Sequence, residues 1–276
     1  MAARARLDAE LVRRGLARSR EQARALIDAG QVKVNGTVAT KAATNVAKDT
    51  PVLVIENDGD DWASRGAYKL LGALAAFEPL GVSVAGKRCL DAGASTGGFT
   101  DVLLRAGAAG VEAVDVGYGQ LVWRLQSHDR VHVHDRTNVR HLTPEMIGGP
   151  VDLIVSDLSF ISLKLVLPAL ASCLRPGGYA MPMVKPQFEV GKDRVGAGGV
   201  VRDRALRVEA VAEVAATAAE LGLVTLAVEA SPLPGPSGNV EYFLLLHRPQ
   251  DHRAGTLSEA NDTVEMITAA VARGPQ

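Results

Sequence analysis

Cys89-Leu-Asp-Ala-Gly-Ala-Ser-Thr-Gly-Gly-Phe-Thr100 is the stretch on which the fold turns. An apolar strand (Cys89, Leu90) runs into a glycine-rich turn, and a helical pattern starts at Gly97. A doubly wound α/β sheet opens its ligand crevice this way, with the backbone N–H groups of a helix N-terminus aimed at the ligand. The dinucleotide form of the turn needs glycine at its second fixed position so that a pyrophosphate can approach, but that position is Ser95. Pyrophosphate, and with it a nicotinamide dehydrogenase, is therefore disfavoured. A ligand with a carboxylate and a sulfonium, S-adenosylmethionine, suits the serine better, while the turn by itself also reads as purely structural.

Working outward, strand and helix alternate. Ser64 to Phe77 reads as an apolar helix broken only by Lys69 near its start. After the turn come Val111 to Asp115, a helix around Leu121 to Leu125, Val131 to His134, a turn near Thr143 to Ile147, and Val151 to Asp157. A helix over Leu163 to Leu174 stops at Arg175-Pro-Gly-Gly, before a strand from Tyr179 to Val184. Gly191 to Gly199 reads as a mobile loop, followed by a helix from Asp203 to Leu221, strands at Val224 to Glu229 and Val240 to Leu246, and a helix from Leu257 to Ala272. The alternation predicts an α/β fold: a mostly parallel, seven-stranded Rossmann-like sheet covered on both faces.

The front of the chain differs. Leu7, Leu11, Val12 and Leu16 lie at helical spacing, and Ser19-Arg-Glu-Gln opens a second helix with a capping-box signature. Gln31 to Val38 alternates around Asn35-Gly36, a strong hairpin signal, and Val52 to Glu56 adds a strand. Two short helices, a hairpin and a strand, with arginines on the second helix and its approach, resemble the S4 RNA-binding fold over about residues 6 to 57. Ten basic residues (Arg4, Arg6, Arg13, Arg14, Arg18, Arg20, Arg24, Lys33, Lys41 and Lys48) outnumber the acids up to Asp58, although the whole 276-residue chain carries a net charge of −1. A basic unit on a mildly acidic body suggests phosphate-backbone binding at one end. The expected domains are 1–57, a polar linker at 58–64 and a methyl-donor domain at 65–276, with Trp62 pinning a domain interface. Cys89 and Cys173 have no metal-spaced partner, and no apolar run reaches the roughly 20 residues of a membrane span. These features predict a cytoplasmic protein without stable membrane association and without a metal.

Ligands of such a sheet lie beyond the carboxyl ends of its strands. The polar residues there are Asp91, Asp115, Asn138, Asp157 and Lys185, with Lys69 and Glu241 from elsewhere. Asp115, about twenty residues after the turn, can accept both hydroxyls of a ribose, and Asn138 is placed for an adenine edge. Lys185 ends an otherwise apolar strand. It can act as a base if a second cation, Lys69, shares the carboxylate of Asp157. Each residue singly is also an ordinary ion pair or strand-end charge.

Together, Lys69, Asp157, Lys185 and Glu241 resemble the Lys-Asp-Lys-Glu set of the FtsJ-like ribose 2′-O-methyltransferases. With the S4-like front, the chain is similar from about residue 4 to 272 to the TlyA family of 16S/23S rRNA cytidine-2′-O-methyltransferases, also called hemolysins. Asp91 to Thr100, Asp115-Val-Gly-Tyr-Gly-Gln120, Ser156-Asp-Leu-Ser-Phe-Ile-Ser162, Val184-Lys-Pro-Gln-Phe-Glu-Val-Gly191 and Ser231 to Tyr242 carry the similarity. The front end beginning Ala3-Arg-Ala-Arg6 and the C-terminal helix resemble the longer subtype that modifies both ribosomal subunits. The departure is Asp60-Asp61, where relatives carry Arg-Ala before the tryptophan. The resemblance implies a class I methyltransferase using S-adenosylmethionine on 16S and 23S rRNA within 30S and 50S subunits. It implies Lys185 as the residue that takes or orients the hydroxyl proton, Asp157 positioning it, and Lys69 and Glu241 completing the network. Asp91, Gly93, Ser95, Thr96, Gly97, Gly98, Phe99, Asp115, Asn138 and Asp157 would form the cofactor site, with Gly93, Ser95 and Gly98 at its methionine end. Arg4, Arg6, Arg14, Arg18, Arg20, Arg24, Lys41 and Arg65 would meet RNA. The competing readings are an RNA-binding assembly factor with a vestigial donor site and a membrane-active hemolysin.

Overall fold

The computed structural model describes residues 4–17, 19–28, 30, 32–48, 50–54, 62–250 and 257–274. It divides into two compact units, Met1–Asp61 and Trp62–Gln276. The linker residues up to 61, with Asp60-Asp61, lie outside the described residues, as does Arg18.

The first unit contains β1 (Arg4–Arg6), α1 (Leu7–Arg13), α2 (Arg20–Asp28), β2 (Val32–Val34), β3 (Thr37–Val38), β4 (Asn45–Ala47) and β5 (Val52–Val54). Leu7, Leu11, Ala23, Ile27, Val32 and Val46 form its core. The Ser19 hydroxyl accepts the Gln22 N–H at 3.1 Å, which starts α2 as the capping signature requires. Asn35 and Gly36 both have positive φ, 48° and 80°, the requirement of a type I′ hairpin between β2 and β3. The arginine-bearing front end is itself a strand, β1, antiparallel to β4. With three residues it is too short to show a period in the sequence.

The second unit runs α3 (Gly66–Phe77), β6 (Arg88–Ala92), α4 (Gly98–Arg105), β7 (Gly110–Val114), α5 (Trp123–Gln126), β8 (Val131–His134) and β9 (Val151–Ser156). It continues through α6 (Leu167–Cys173), β10 (Leu174–Val184), α7 (Pro186–Glu189), α8 (Arg204–Glu220), β11 (Val224–Ala230), β12 (Tyr242–His247) and α9 (Leu257–Arg273). The seven strands lie in the order β11-β12-β10-β9-β6-β7-β8, parallel except where β12 meets β10 and β11. Alternate residues feed two cores: Leu90, Ile154 and Leu244 on one side, Cys89, Leu153, Val155 and Leu245 on the other. Burial of this kind on both faces is why the strands read as continuous apolar runs. Both cysteines are buried, and burial pushes the Cys89 thiol up to about 12. Among the described residues no helix is long and apolar enough to cross a membrane.

Three elements differ from the sequence reading. β10 begins at Leu174 rather than Tyr179 and takes Arg175-Pro-Gly-Gly into the strand, where the register with β9 shifts between Leu174 and Tyr179. Pro176 cannot donate to the ladder and Gly177 sits at φ +79°, so the expected helix stop becomes an irregularity in a strand. The expected helix over 163–174 is a 3₁₀ turn, Leu163–Leu165, followed by α6 with Pro168 in its first turn. Within 191–199 lie two 3₁₀ turns, and buried Asn239 holds the second by donating to the Gly199 carbonyl and accepting the Val201 N–H.

Candidate active site

β6 is an interior strand, with β7 on one side and β9 on the other, so the order of strands across the sheet reverses at its end. There a cavity of about 680 Å³ opens, lined by the turn after β6 and by the residues that follow β7, β8, β9 and β10. The turn is built by close approach. A Cβ at Gly93 (φ +91°) would lie 2.9 Å from the Asp157 carbonyl oxygen, and one at Gly98 would lie 2.3 Å from the Ser64 Oγ. Ser95, at φ +47°, donates its backbone N–H to Asp115 Oδ2 at 2.9 Å, while Gly117 N–H reaches Oδ1 at 2.7 Å. Each Asp115 oxygen thus keeps lone-pair capacity for a further donor, the condition for binding a diol. The Asn138 carbonyl oxygen accepts the Arg140 N–H at 3.0 Å, leaving the amide NH₂ to meet a ligand at the wall it lines.

Gly93, Ser95, Thr96, Gly98, Phe99, Asp115, Asn138 and Asp157 line the cavity. Asp91 and Gly97 do not. Gly97 turns the chain at φ +103° against Leu121 and Leu125. Asp91 is fully buried behind the turn, where its Oδ2 accepts the Thr100 hydroxyl at 2.6 Å. Burial pushes its carboxyl up to about 7, with Asp157 and Asp115 adding to the rise and Thr100 opposing it. Asp91 therefore supports the turn from beneath instead of facing a ligand, because successive residues of β6 alternate between faces.

Lys69, from the second turn of α3, reaches Glu241 Oε2 at 2.5 Å and Asp157 Oδ2 at 3.7 Å. Lys185, just past β10, pairs with Asp157 Oδ1 at 2.6 Å and approaches Glu241 Oε1 at 4.0 Å. Four residues drawn from α3 and from the ends of β9, β10 and the approach to β12 thus form one alternating ring of charge. Both lysines and Glu241 are buried, and Asp157 is 23% exposed toward the cavity. Glu241 has room only because Gly235 lacks a side chain: a Cβ there would lie 2.7 Å from Oε1. Two buried ammonium groups matched by two carboxylates need no further counter-ion, and the two lysines remain on the cavity wall. Such a ring can hold a hydroxyl oxygen and accept or orient its proton.

Two neighbours of the ring went unassigned in the sequence. The Ser159 Oγ accepts from Lys185 Nζ at 2.8 Å. Phe160, at φ +63° and 91% exposed, stands at the cavity and meets the Phe188 ring at 5.3 Å. Their signal was the run Ser156 to Ser162, which has no periodicity to give its side chains a direction.

The basic residues divide by environment. In the first unit the buried Asp8 carboxylate gathers Arg6 (3.1 Å), Arg20 (3.0 Å) and Arg24 (3.4 Å), each about half exposed. The Arg6 guanidinium first, then Arg20 and the Ala9 N–H, hold Asp8 well below the usual carboxylate range against the opposing effect of burial. Lys41 is exposed. Arg14 is different: it is bound to Glu10 and to the carbonyls of Ala47, Lys48 and Thr50, so its guanidinium braces the fold. Arg4 enters the structure through its backbone in β1. Arg65 is exposed at the cavity in the second unit. Trp62 also packs within the second unit, under the Arg105 guanidinium at 4.1 Å.

Residues 62–248 match the FtsJ-like methyltransferase family and residues 5–51 the S4 domain. A 16S/23S rRNA (cytidine-2′-O)-methyltransferase TlyA of Mycobacterium tuberculosis is 58% identical over 100% of both chains. A Bacillus subtilis protein named as a candidate rRNA methyltransferase is 42% identical, over 96% of this chain and 93% of its own. Among solved structures, a protein of Streptococcus thermophilus described as a candidate hemolysin superposes with a TM-score of 0.72 at 35% identity, covering 99% of this chain and 98% of that one.

Proposed function

Since the chain belongs to the TlyA family of FtsJ-like methyltransferases with an S4 domain, we propose that it methylates the 2′-hydroxyl of cytidine in 16S and 23S rRNA on 30S and 50S subunits. S-adenosylmethionine is the donor in this reading, and a ribosomal substrate entails a cytoplasmic site of action. The observation that carries it is the ring of Lys69, Asp157, Lys185 and Glu241 on a cavity whose other wall holds a pre-oriented Asp115.

The cavity residues fit that donor. A volume of about 680 Å³ suits a ligand of nucleoside size. Gly93 and Gly98 keep the turn free of side chains, Asp115 offers acceptors to a ribose diol, and the Asn138 amide offers a donor to an adenine ring nitrogen. The first N–H groups of α4 suit a carboxylate. When bound, the donor supplies a methyl group on a cationic sulfur, open to in-line attack by a hydroxyl oxygen.

A ribose hydroxyl is a weak nucleophile, and Lys185 takes or orients its proton. Asp157 and Ser159 set the direction of the Lys185 side-chain nitrogen, which takes the proton as a neutral amine or, as an ammonium, orients the hydroxyl by donating to its oxygen. Lys69, held by Glu241, lends a donor to the 2′-oxygen as the proton leaves. General-base help of this kind is typically worth about 10²–10⁴-fold. Arg6, Arg20, Arg24 and Lys41, with Arg4 and Arg18, bind rRNA phosphates, and Arg65 binds one beside the cavity. The test is methyl transfer from labelled S-adenosylmethionine to isolated 30S and 50S subunits, with Lys185→Ala and Asp157→Ala in parallel. Wild type labels both subunits and the variants lose activity by about 10²-fold or more. Full activity in both variants removes the mechanism, and wild-type RNA binding without any methyl incorporation would favour an assembly factor instead.

A further inference from the structure

The partners of Lys185 sit on a short crossing of the chain. Asp157 and Ser159 lie in the segment 157–163 that leads from β9 to the 3₁₀ turn at Leu163, and both meet the Lys185 ammonium. Midway, Phe160 has φ +63°, a conformation an aromatic residue keeps only where its surroundings hold it. The far end of the segment is fastened by Glu189, four residues after Lys185 at the end of α7. Its Oε2 accepts the Ser162 hydroxyl at 2.6 Å and its Oε1 accepts the Leu163 N–H at 2.8 Å. Phe188, in the same turn of helix, packs on Phe160. The segment is therefore bound to the residues 185–189 at both ends and in its middle.

Glu189 is only 7% exposed, and burial pushes its carboxyl above the usual range against the bonds from Ser162 and Leu163. Keeping a carboxylate there is unfavourable unless its two bonds serve to join the two loops. We propose that Glu189 is a positioning residue, a latch that holds segment 157–163 on α7 so that Asp157 and Ser159 stay aligned on Lys185. The inference rests on the assignment of Lys185 and Asp157 to the reacting centre.

Full-length Glu189→Ala, Glu189→Gln and Ser162→Ala test it by steady-state methylation of ribosomal subunits, hydrogen exchange over 157–164 and thermal melting. Loss of the latch misplaces the ring by a fraction of an ångström to an ångström, so kcat of Glu189→Ala falls by up to roughly 100-fold. Its KM for S-adenosylmethionine stays at the wild-type value, and the Leu163 amide loses exchange protection. Glu189→Gln can still accept the Leu163 N–H and pair with Ser162, so it restores most of kcat and the protection. Ser162→Ala added to Glu189→Ala costs little more. Unchanged kcat with full protection in Glu189→Ala overturns the proposal. So does a Gln variant as slow as the Ala variant, or a fall in kcat matched by a rise in KM and a lowered melting midpoint. Lys185→Ala keeps the two readings apart: its activity judges the base, whereas exchange at Leu163 judges the latch whether or not any variant turns over.

Discussion

Gly98 faces the first turn of α3, and any side chain there displaces it. A Cβ at this position would meet Ser64 Oγ at 2.3 Å and the Ala67 nitrogen at 3.1 Å, so Gly98→Ala should destabilise the second unit by about 1–3 kcal/mol. It should also weaken donor binding, because the same turn walls the cavity. Melting and calorimetric titration measure both effects, and Ser64→Ala in the same chain should recover part of each by removing the nearest atom. Asp91 makes a prediction with a sign. Its folded value of about 7 exceeds the ordinary 3.8, so between those pH values the folded protein keeps a proton that the unfolded chain has released. Stability contributed by this group is greatest in acid and falls as pH rises, at about 1.4 kcal/mol per unit, then levels off above 7. Asp91→Asn removes the titration while its amide oxygen can still accept from Thr100. The stability of the variant relative to wild type, from denaturant melts, should rise between pH 4 and 7 and be flat beyond; a difference constant across that range would refute the placement of the charge. The four charges of the ring were legible in the sequence because each interrupts an apolar run or follows a strand end, where a charge demands a reason. Asp91 stood at such an end too, yet points away from the cavity, since one residue of strand reverses the face. Ser159 and Glu189 stood within the runs Ser156 to Ser162 and Val184 to Gly191, but their roles could not be read there because they lie in the packing of one loop on another.

At the scale of elements, the glycine turn and the alternation of apolar runs were enough for the sheet, since strands buried on both faces cannot hide among polar residues. Boundaries were less readable where one residue type serves two ends: Arg175-Pro-Gly-Gly stops a helix in isolation, but neighbouring β9 draws it into β10. The arginines of α2 and its approach show the same limit. Arg14 reads like Arg20 in the sequence, while the fold spends it on three carbonyls and Glu10. Arg20 and Arg24 remain half exposed around Asp8 and are free to meet phosphates. Replacing either by Ala should weaken rRNA binding and reduce the slope of log K against log salt by about 0.7–0.9 for each phosphate that the missing guanidinium no longer neutralises. Arg14→Ala should instead lower the melting temperature of the first unit. Anisotropy titrations over a range of potassium chloride separate the two outcomes, and an unchanged salt slope in the Arg20 and Arg24 variants would place the RNA elsewhere.

For the whole molecule, the proposed function assigns recognition to the basic first unit and chemistry to the charge ring of the second, on different stretches of one chain. That division predicts that the two can be removed independently in the whole chain. Lys185→Ala should bind S-adenosylmethionine and ribosomal subunits as wild type does and transfer methyl groups about 10²-fold or more slowly, because the ring lies beside the proposed donor cavity and far in sequence from the arginines. The double variant Arg20→Ala, Arg24→Ala should bind the donor normally and lose methylation through KM for subunits, with kcat at saturating substrate retained. The arginines supply binding common to ground and transition states, and loss of such uniform binding raises KM alone. The crossed result decides between the readings. A Lys185 variant that still methylates leaves the ring without a chemical role. An arginine variant whose kcat falls at saturation means that the first unit shapes the reacting geometry as well as delivering it.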